Sequence, residues 1–456
     1  MQQNHFLINP IMFYQFLRLI IFIAIKIFFR SAHIRNLEHI PKKGGLILAS
    51  NHPSTFLDPL VLAVWLRRPV CFLTNGGVFK NAFLKWFLRQ FYMVPIYRKQ
   101  DNNASPSKNE EAFAACYDML AAGGALVIFP EGGSENERKL RKIKTGLARI
   151  VLGAEAKYDF QLDIKIVCAG INYTNPRKFQ SELFVQYALP FSAANYKELY
   201  QNNPQQAVIE LTAEVETKLR NLIVFIEDKE DDEFVRKIEV LYSHHLQDFL
   251  GLPIPQTEQV FMVAQHFADA VRHFQQTAPQ RMATFKQKTL NYFAKLHTYK
   301  LQDKTVATYH ASKTNIFWYL PYLLFVFPLY LLGLLHNFLP YQLPAWISLK
   351  LTKDLTFLGA FNFGLGIICF SSFYVAYGYA FLQFVPSYFL LFIYYCLIAT
   401  TGFICYYYWH FVKRLRERSK IDRILQKEPD LLALRREIIA DLEKSRDEYI
   451  QFVENK

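Results

Sequence analysis

Apolar and polar positions divide the chain into stretches of different period. The first apolar run, Phe6 to Phe29, is interrupted by Arg18 and Lys26. Each such charge would cost about 2.5–3.5 kcal/mol at the centre of a spanning helix. Wound as a helix, Gln15, Arg18, Lys26 and Arg30 share one stripe broken only by Phe22. This predicts an amphipathic helix over residues 1–32, lying in a lipid interface with its basic residues toward the head groups. No basic leader precedes the run and no A-x-A site follows it, so a retained anchor is expected and not a cleaved signal.

From Gly44 to about Pro190 short apolar runs alternate with stretches of helical spacing. The runs are Leu46–Ala49, Val70–Leu73, Val94–Tyr97, Leu126–Phe129, Ile164–Ala169 and Leu183–Tyr187. Between them Pro59–Leu66, Phe79–Phe91, Asn109–Ala122 and Lys142–Lys157 read as helices. Alternation of this kind requires crossover connections. It predicts an α/β domain over 33–195, a mainly parallel sheet covered by helices, with ligand sites at the carboxyl ends of the strands.

The segment 196–313 is polar and helical, broken at Gly251-Leu-Pro-Ile-Pro255, and carries no motif with a chemical reading. Three apolar runs follow within 314–412: Ile316–Leu339, Phe357–Leu382 and Tyr388–Val412. The last two have spanning length and no charge. Behind them Lys413, Arg414, Arg416, Arg418, Lys420 and Arg423 open a tail, 413–456, that the positive-inside rule places in the cytoplasm. Three crossings would separate the catalytic domain from this tail. A cytoplasmic location for both therefore requires Ile316–Leu339, with Pro321 and Pro328, to be re-entrant or interfacial. Asp430 to Val453 reads as a charged, solvated amphipathic helix.

Composition agrees with a membrane setting: 52% of residues are hydrophobic, 16% aromatic, and the net charge is +13. A basic balance suits nucleic acid, an anionic membrane face or phosphorylated substrates. Much of the excess lies beside apolar runs and no nucleic-acid recognition motif occurs, so nucleic acid is not an expected partner. The six cysteines show neither C-x-x-C nor Cys/His ligand spacing, and neither disulfides nor a metal site is expected.

Two segments carry candidate chemistry. Asn51-His52-Pro-Ser-Thr-Phe-Leu-Asp58-Pro59 follows the first strand, with Asp58 read as a helix N-cap. His52 is then either an incidental turn residue or a general base at the sheet edge, with a carboxylate fixing its tautomer. In Leu126-Val-Ile-Phe-Pro-Glu131-Gly132-Gly133-Ser134, two glycines free backbone N–H groups to approach an anion. The cations Arg138, Arg141, Lys142 and Lys144 follow. This is either a tight loop before a basic helix or a phosphate site.

Together Asn51-His52 with Asp58, Val94-Pro-Ile-Tyr-Arg98, Phe129-Pro-Glu-Gly132 and Val167-Cys-Ala-Gly-Ile-Asn172 resemble the four ordered blocks of the lysophosphatidic-acid-acyltransferase (PlsC-like) superfamily. Four blocks in order are far more specific than any one. The spacing here is H-x5-D where the family usually has H-x4-D, so the pair must meet across a turn. That spacing, Lys144-Thr-Gly146 and the C-terminal apolar runs look like the branch acylating glycerol 3-phosphate or dihydroxyacetone phosphate.

The resemblance implies that His52 deprotonates an acceptor hydroxyl, oriented by Asp58. The donor is an acyl-CoA or acyl carrier protein thioester, with no other cofactor. It further implies that Asn51, Arg98, Glu131, Gly132, Gly133 and Ser134 line the substrate site. The arginine that follows Glu-Gly in many lysophosphatidic acid acyltransferases is absent, which leaves Arg138 or Lys144 to take its place. The acceptor is glycerol 3-phosphate or its 1-acyl form. A membrane scaffold with a decayed site and a transporter are the competing classes. Intact His52, Asp58 and Glu131 argue against the first, and the lack of a paired intramembrane charge against the second.

Overall fold

The computed structural model describes residues 10–75, 93–96, 106–242, 256–309 and 316–455. They fall into two compact units. The first comprises Met1–Glu227 with Ile254–Phe261 and Asp354–Ala360, and the second comprises Asp228–Pro253, Met262–Lys353 and Phe361–Lys456.

In the first unit helix α1 (Pro10–Phe28) runs directly into β1 (Phe29–Arg35). Then come β2 (Leu46–Ser50), α2 (Leu57–Trp65), β3 (Cys71–Asn75), β4 (Met93–Ile96), α3 (Pro106–Ala121), β5 (Ala125–Ile128) and α4 (Gly146–Lys157). The unit closes with β6 (Lys165–Tyr173), β7 (Ser181–Tyr187), β8 (Phe191–Ser192), α5 (Lys197–Asn202) and α6 (Pro204–Arg220). The strands form one sheet in the order β1-β7-β6-β2-β5-β3-β4, with β8 beside β6. The pairs β2/β5, β2/β6, β3/β5, β3/β4 and β1/β7 are parallel, and only β6 meets β7 and β8 antiparallel. The mainly parallel sheet therefore has one reversed edge.

Strand β2 lies between β5 and β6, and all five of its residues are buried. Ile47 and Ala49 join Leu126, Ile128, Ile166 and Cys168 in a core closed by Leu120 of α3, Val151 of α4 and Leu211 of α6. Helix α6 presents Ala207, Leu211, Val215 and Leu219 to this core, an i, i+4, i+8, i+12 stripe. The boundary expected at 195 thus falls inside the packing, because the amphipathic helix after it covers the sheet. Phe29, read from sequence as part of the anchor, is buried in β1.

The basic stripe of α1 does not point outward as expected. Arg18 Nε donates to Val64 O (2.9 Å), and Lys26 sits 5.3 Å over the Trp65 ring. The last carbonyls of α2 lack helical partners and attract cations, and an indole face does the same. The outward face carries Met12, Phe16, Leu19, Ile23 and Ile27 instead, all exposed.

The second unit contains α7 (Lys229–Tyr242), most of α8 (Gln256–Thr277), α9 (Pro279–Thr298), α10 (Asp303–Ala307), α11 (Leu320–Leu351), most of α12 (Leu355–Phe384), α13 (Tyr388–Lys427) and α14 (Leu431–Glu454). Among the described residues α11, α12 and α13 are long and apolar enough to cross a membrane. Helix α11 is continuous for 32 residues despite Pro328, Pro340 and Pro344, and does not break where a re-entrant turn was expected.

Asn337 bonds α11 to its neighbours. Its Nδ2 donates to Ile398 O of α13 (2.9 Å), and its Oδ1 accepts from Tyr374 of α12 (2.9 Å). The C-terminal helix is not a solvated tail. It buries Leu431, Ile438 and Leu442, and its Asp441 and Glu448 pair with Lys288 and Arg281 of α9 at 3.2 and 2.5 Å. Arg435 reaches the buried Asp303 of α10 at 2.8 Å.

Candidate active site

The chain leaves β2 at Ser50, and the next side chain is locked to the sheet. Asn51 Nδ2 donates to Ile171 O (2.9 Å) and its Oδ1 accepts from Ile171 N (2.8 Å), so the amide continues the β2–β6 ladder. This aims His52 at the carboxyl edge. The turn closes when Leu57 N and Asp58 N both donate to Ser54 O, at 2.9 and 3.2 Å. It brings the two candidate residues together: His52 Nδ1 lies 2.8 Å from Asp58 Oδ2.

Asp58 is fully buried. Its Oδ2 also accepts from Ser54 N (2.7 Å) and its Oδ1 from the Tyr173 hydroxyl (2.8 Å). Helix α2 begins at Leu57 with Phe56 at its N-cap position, so Asp58 sits in the first turn and not at the cap expected from Asp-Pro. Its carboxylate is taken by the turn and the imidazole. With a carboxylate at Nδ1, the neutral ring carries its proton there and leaves the Nε2 lone pair free. The ring lies flat on Phe129 (centroids 4.0 Å apart, 15°) and the side chain is 16% exposed. The arrangement can accept a proton at Nε2 and stabilise the resulting imidazolium through Asp58.

Glu131, on the loop after β5, is buried. Its Oε1 accepts from His52 N (2.8 Å) and its Oε2 from Arg141 N (3.0 Å). Burial pushes this carboxyl up, against the pull of the hydrogen bonds from Arg141 and His52. Gly132 follows at φ +71°, and a Cβ there would come within 2.6 Å of Lys144 Nζ. A Cβ on Gly133 would lie 3.2 Å from Arg141 Nη2. Each glycine therefore has a cation against it. Arg141 Nη1 pairs with Glu135 (3.0 Å), while its Nη2 is buried without a hydrogen-bond partner among the described residues.

Residues 31–172, which contain every group just described except Tyr173, match the family model described as Acyltransferase. This segment is an acyltransferase-family domain. It is 26% identical over 301 residues to glycerol-3-phosphate O-acyltransferase 2 of Saccharomyces cerevisiae, covering 43% of this chain and 40% of that one. It is 32% identical over 141 residues to glycerol-3-phosphate O-acyltransferase 1 of the same yeast, covering 30% of this chain and 18% of that one. The chain thus spans less than half the length of these curated relatives. The crystal structure of the 1-acyl-sn-glycerophosphate (LPA) acyltransferase PlsC from Thermotoga maritima aligns at 16% identity and a TM-score of 0.32, over 45% of this chain and 79% of that one.

Within the acyltransferase domain, the expected site residues divide by what their side chains face. His52, Asp58, Gly132, Gly133 and Lys144 converge at the carboxyl end of the sheet, whereas the side chains of Asn51 and Glu131 are turned to backbone. Ser134 lies one residue past the glycines, and Arg138 O accepts from Ile226 N (2.7 Å) where the chain leaves α6. Arg98 lies outside the described residues, as does Phe79–Phe91. Among the described residues no group of three or more His, Cys, Asp or Glu side chains could hold a metal ion.

Sequence reasoning missed Tyr173 and the role of Arg141 beside the glycines. The only signal for Tyr173 was its place directly after the fourth block. The first residues of α12 also pack here: Thr55 Oγ1 donates to Thr356 O (3.2 Å), and Phe56 meets Phe357 edge-on at 5.8 Å. A Cβ on Gly359 would come within 2.7 Å of Pro176 O, so this contact needs glycine.

Proposed function

We propose that the protein transfers a fatty acyl group from a thioester donor to a hydroxyl of glycerol 3-phosphate. The observation that carries this reading is the 2.8 Å contact between His52 Nδ1 and the buried Asp58, which leaves Nε2 as the acceptor of a proton. The acceptor hydroxyl gives its proton to Nε2 while its oxygen attacks the thioester carbonyl. The tetrahedral intermediate then expels the thiolate, which takes the proton back from the imidazolium and leaves as thiol. The ester forms, the thioester breaks, and His52 returns to its starting state.

The flexible Gly132-Gly133 turn, with Lys144 and the unpartnered Arg141 Nη2 against it, supports a phosphate subsite beside the base. Arg98 is assigned to the same phosphate from its block. Asn51 and Glu131 shape the site by holding the backbone of Ile171, His52 and Arg141. The donor is acyl-CoA or acyl-acyl carrier protein. The glycerol 3-phosphate assignment draws on the printed names of the two yeast relatives.

The domain works at a lipid surface. The exposed apolar face of α1, Met12 to Ile27, supports its use as a monotopic anchor. Helices α9 and α10 precede the three apolar helices, and α14 follows them. Their contacts support a topology with both charged segments on one side of the membrane. On that topology two of the three helices cross fully and the other lies along the interface. The basic cluster Lys413 to Arg423 supports a cytoplasmic location for that shared side.

The test offers membranes containing the full chain labelled acyl-CoA and, separately, labelled acyl-acyl carrier protein, each with glycerol 3-phosphate and its 1-acyl form in separate reactions. Label should enter the 1-acyl product from glycerol 3-phosphate. Label entering phosphatidic acid alone would move the acceptor to the 1-acyl form. Transfer to neither acceptor from either donor class would leave a non-catalytic membrane scaffold.

A further inference from the structure

We propose that the Tyr173 hydroxyl is a positioning group for the dyad, holding Asp58 so that its Oδ2 stays presented to His52. This rests on the general-base reading above and adds a residue to it. Tyr173 ends β6, and its hydroxyl donates to Asp58 Oδ1 at 2.8 Å. Asp58 has no exposed surface, so its two oxygens must be satisfied by protein donors. Oδ2 accepts from both His52 Nδ1 and Ser54 N, whereas Tyr173 is the donor to Oδ1 among the described residues. Without the phenol, that oxygen would be buried bare and the carboxylate free to rotate about its Cβ–Cγ bond.

The phenol is itself held. Its ring stacks on the buried Phe29 of β1 (centroids 5.7 Å, 23°), so the hydroxyl has one place to be. Burial, and after it the charge of Asp58, pushes the Tyr173 hydroxyl well above its usual range. It therefore remains a donor at every pH at which the protein is assayed. Two residues earlier, the backbone of Ile171 holds Asn51. One strand, β6, thus fixes the entry to the His52 turn through Ile171 and its exit through Tyr173.

A buried tyrosine that merely satisfies a carboxylate would affect stability alone. A positioning group also changes how Asp58 supports the imidazolium. With the phenol gone, more of the carboxylate's charge falls on His52, and protonation of the ring is favoured. The other charged groups facing the pair are Glu131, through the His52 N–H, and Arg141 behind Glu131. Neither changes in the substitution below.

The experiment compares wild type, Tyr173→Phe, His52→Ala and Tyr187→Phe as full chains in membranes, measuring kcat, both KM values and the pH profile. Tyr187 is also buried, but its hydroxyl has no hydrogen-bond partner among the described residues, so Tyr187→Phe controls for loss of a buried phenol. Tyr173→Phe should lower kcat by about ten- to a hundred-fold, the usual weight of a hydrogen bond to a charged group. Both KM values should stay within about two-fold, and the acidic limb of the profile should move to higher pH, while Tyr187→Phe matches wild type. Wild-type kcat and profile in Tyr173→Phe, with His52→Ala inactive, would overturn this inference alone. An active His52→Ala would overturn the general-base reading and the inference with it. If Tyr173→Phe fails to accumulate, Phe29→Leu, which loosens the ring but keeps the hydroxyl, should show a smaller fall in kcat with a smaller pH displacement in the same direction. An unmoved profile there overturns the inference.

Discussion

Glu131 accepts the main-chain N–H of His52 at 2.8 Å across 79 positions of sequence. Its other oxygen accepts from Arg141 N, so one carboxylate joins the turn after β2 to the loop after β5. Glutamine has the same shape but presents an NH2 group to one of these two donors. Glu131→Gln should therefore lower kcat about ten-fold or more with acceptor KM little changed. A rise confined to acceptor KM would return Glu131 to direct contact with substrate.

His52→Ala should reduce acyl transfer by about 10²–10⁴-fold while membrane insertion and protein level stay normal. Asp58→Asn should come close to it, because an amide can present its NH2 to Nδ1 and reverse the tautomer. Retention of more than half the activity in His52→Ala, measured with labelled acyl donor, would exclude the mechanism.

The glycine turn and its lysine act together. Lys144→Ala should raise acceptor KM about ten-fold and leave donor KM nearly unchanged. Gly132→Val should do at least as much, since it adds a side chain at φ +71° within 2.6 Å of Lys144 Nζ. The same assay checks Arg98→Ala, for which acceptor KM should also rise about ten-fold, with Arg98→Lys recovering only part because lysine lacks the planar fork. If these changes weaken only the donor, the cations belong to the coenzyme or carrier site.

A tag after Lys456 should be reached from the same membrane face as a tag in the exposed loop at Asn202-Asn203, since α14 pairs with α9. Protease protection of sealed vesicles checks this. Tags on opposite faces would require an odd number of the apolar helices to cross and the α9–α14 ion pairs to be absent in the membrane.

Much of the domain could be read along the chain because its strands announce themselves locally. β2, β5 and β6 are short apolar runs between helix-period stretches, and a buried parallel strand needs nothing else to be recognised. The approach of His52 to Asp58 across a turn was also legible, since the spacing allows no common helical face. Local pattern cannot show which distant group a side chain will meet. Asn51 looks like a substrate ligand until β6 lies beside β2 and offers Ile171, 120 positions away, to its amide. Arg18 and Lys26 look lipid-facing until α2 ends against them.

Pattern, period and block order therefore determined strands β2 to β7, helices α2 to α4 between them, the candidate base and its acid, but not the edge strands β1 and β8. Sheet order and helix packing alone decided that Tyr173 would reach Asp58, that Glu131 would serve backbone, and that α14 would close on α9. These partners are selected by burial, where an unpaired polar group is costly, and burial is a property of the assembled layers and not of any local stretch.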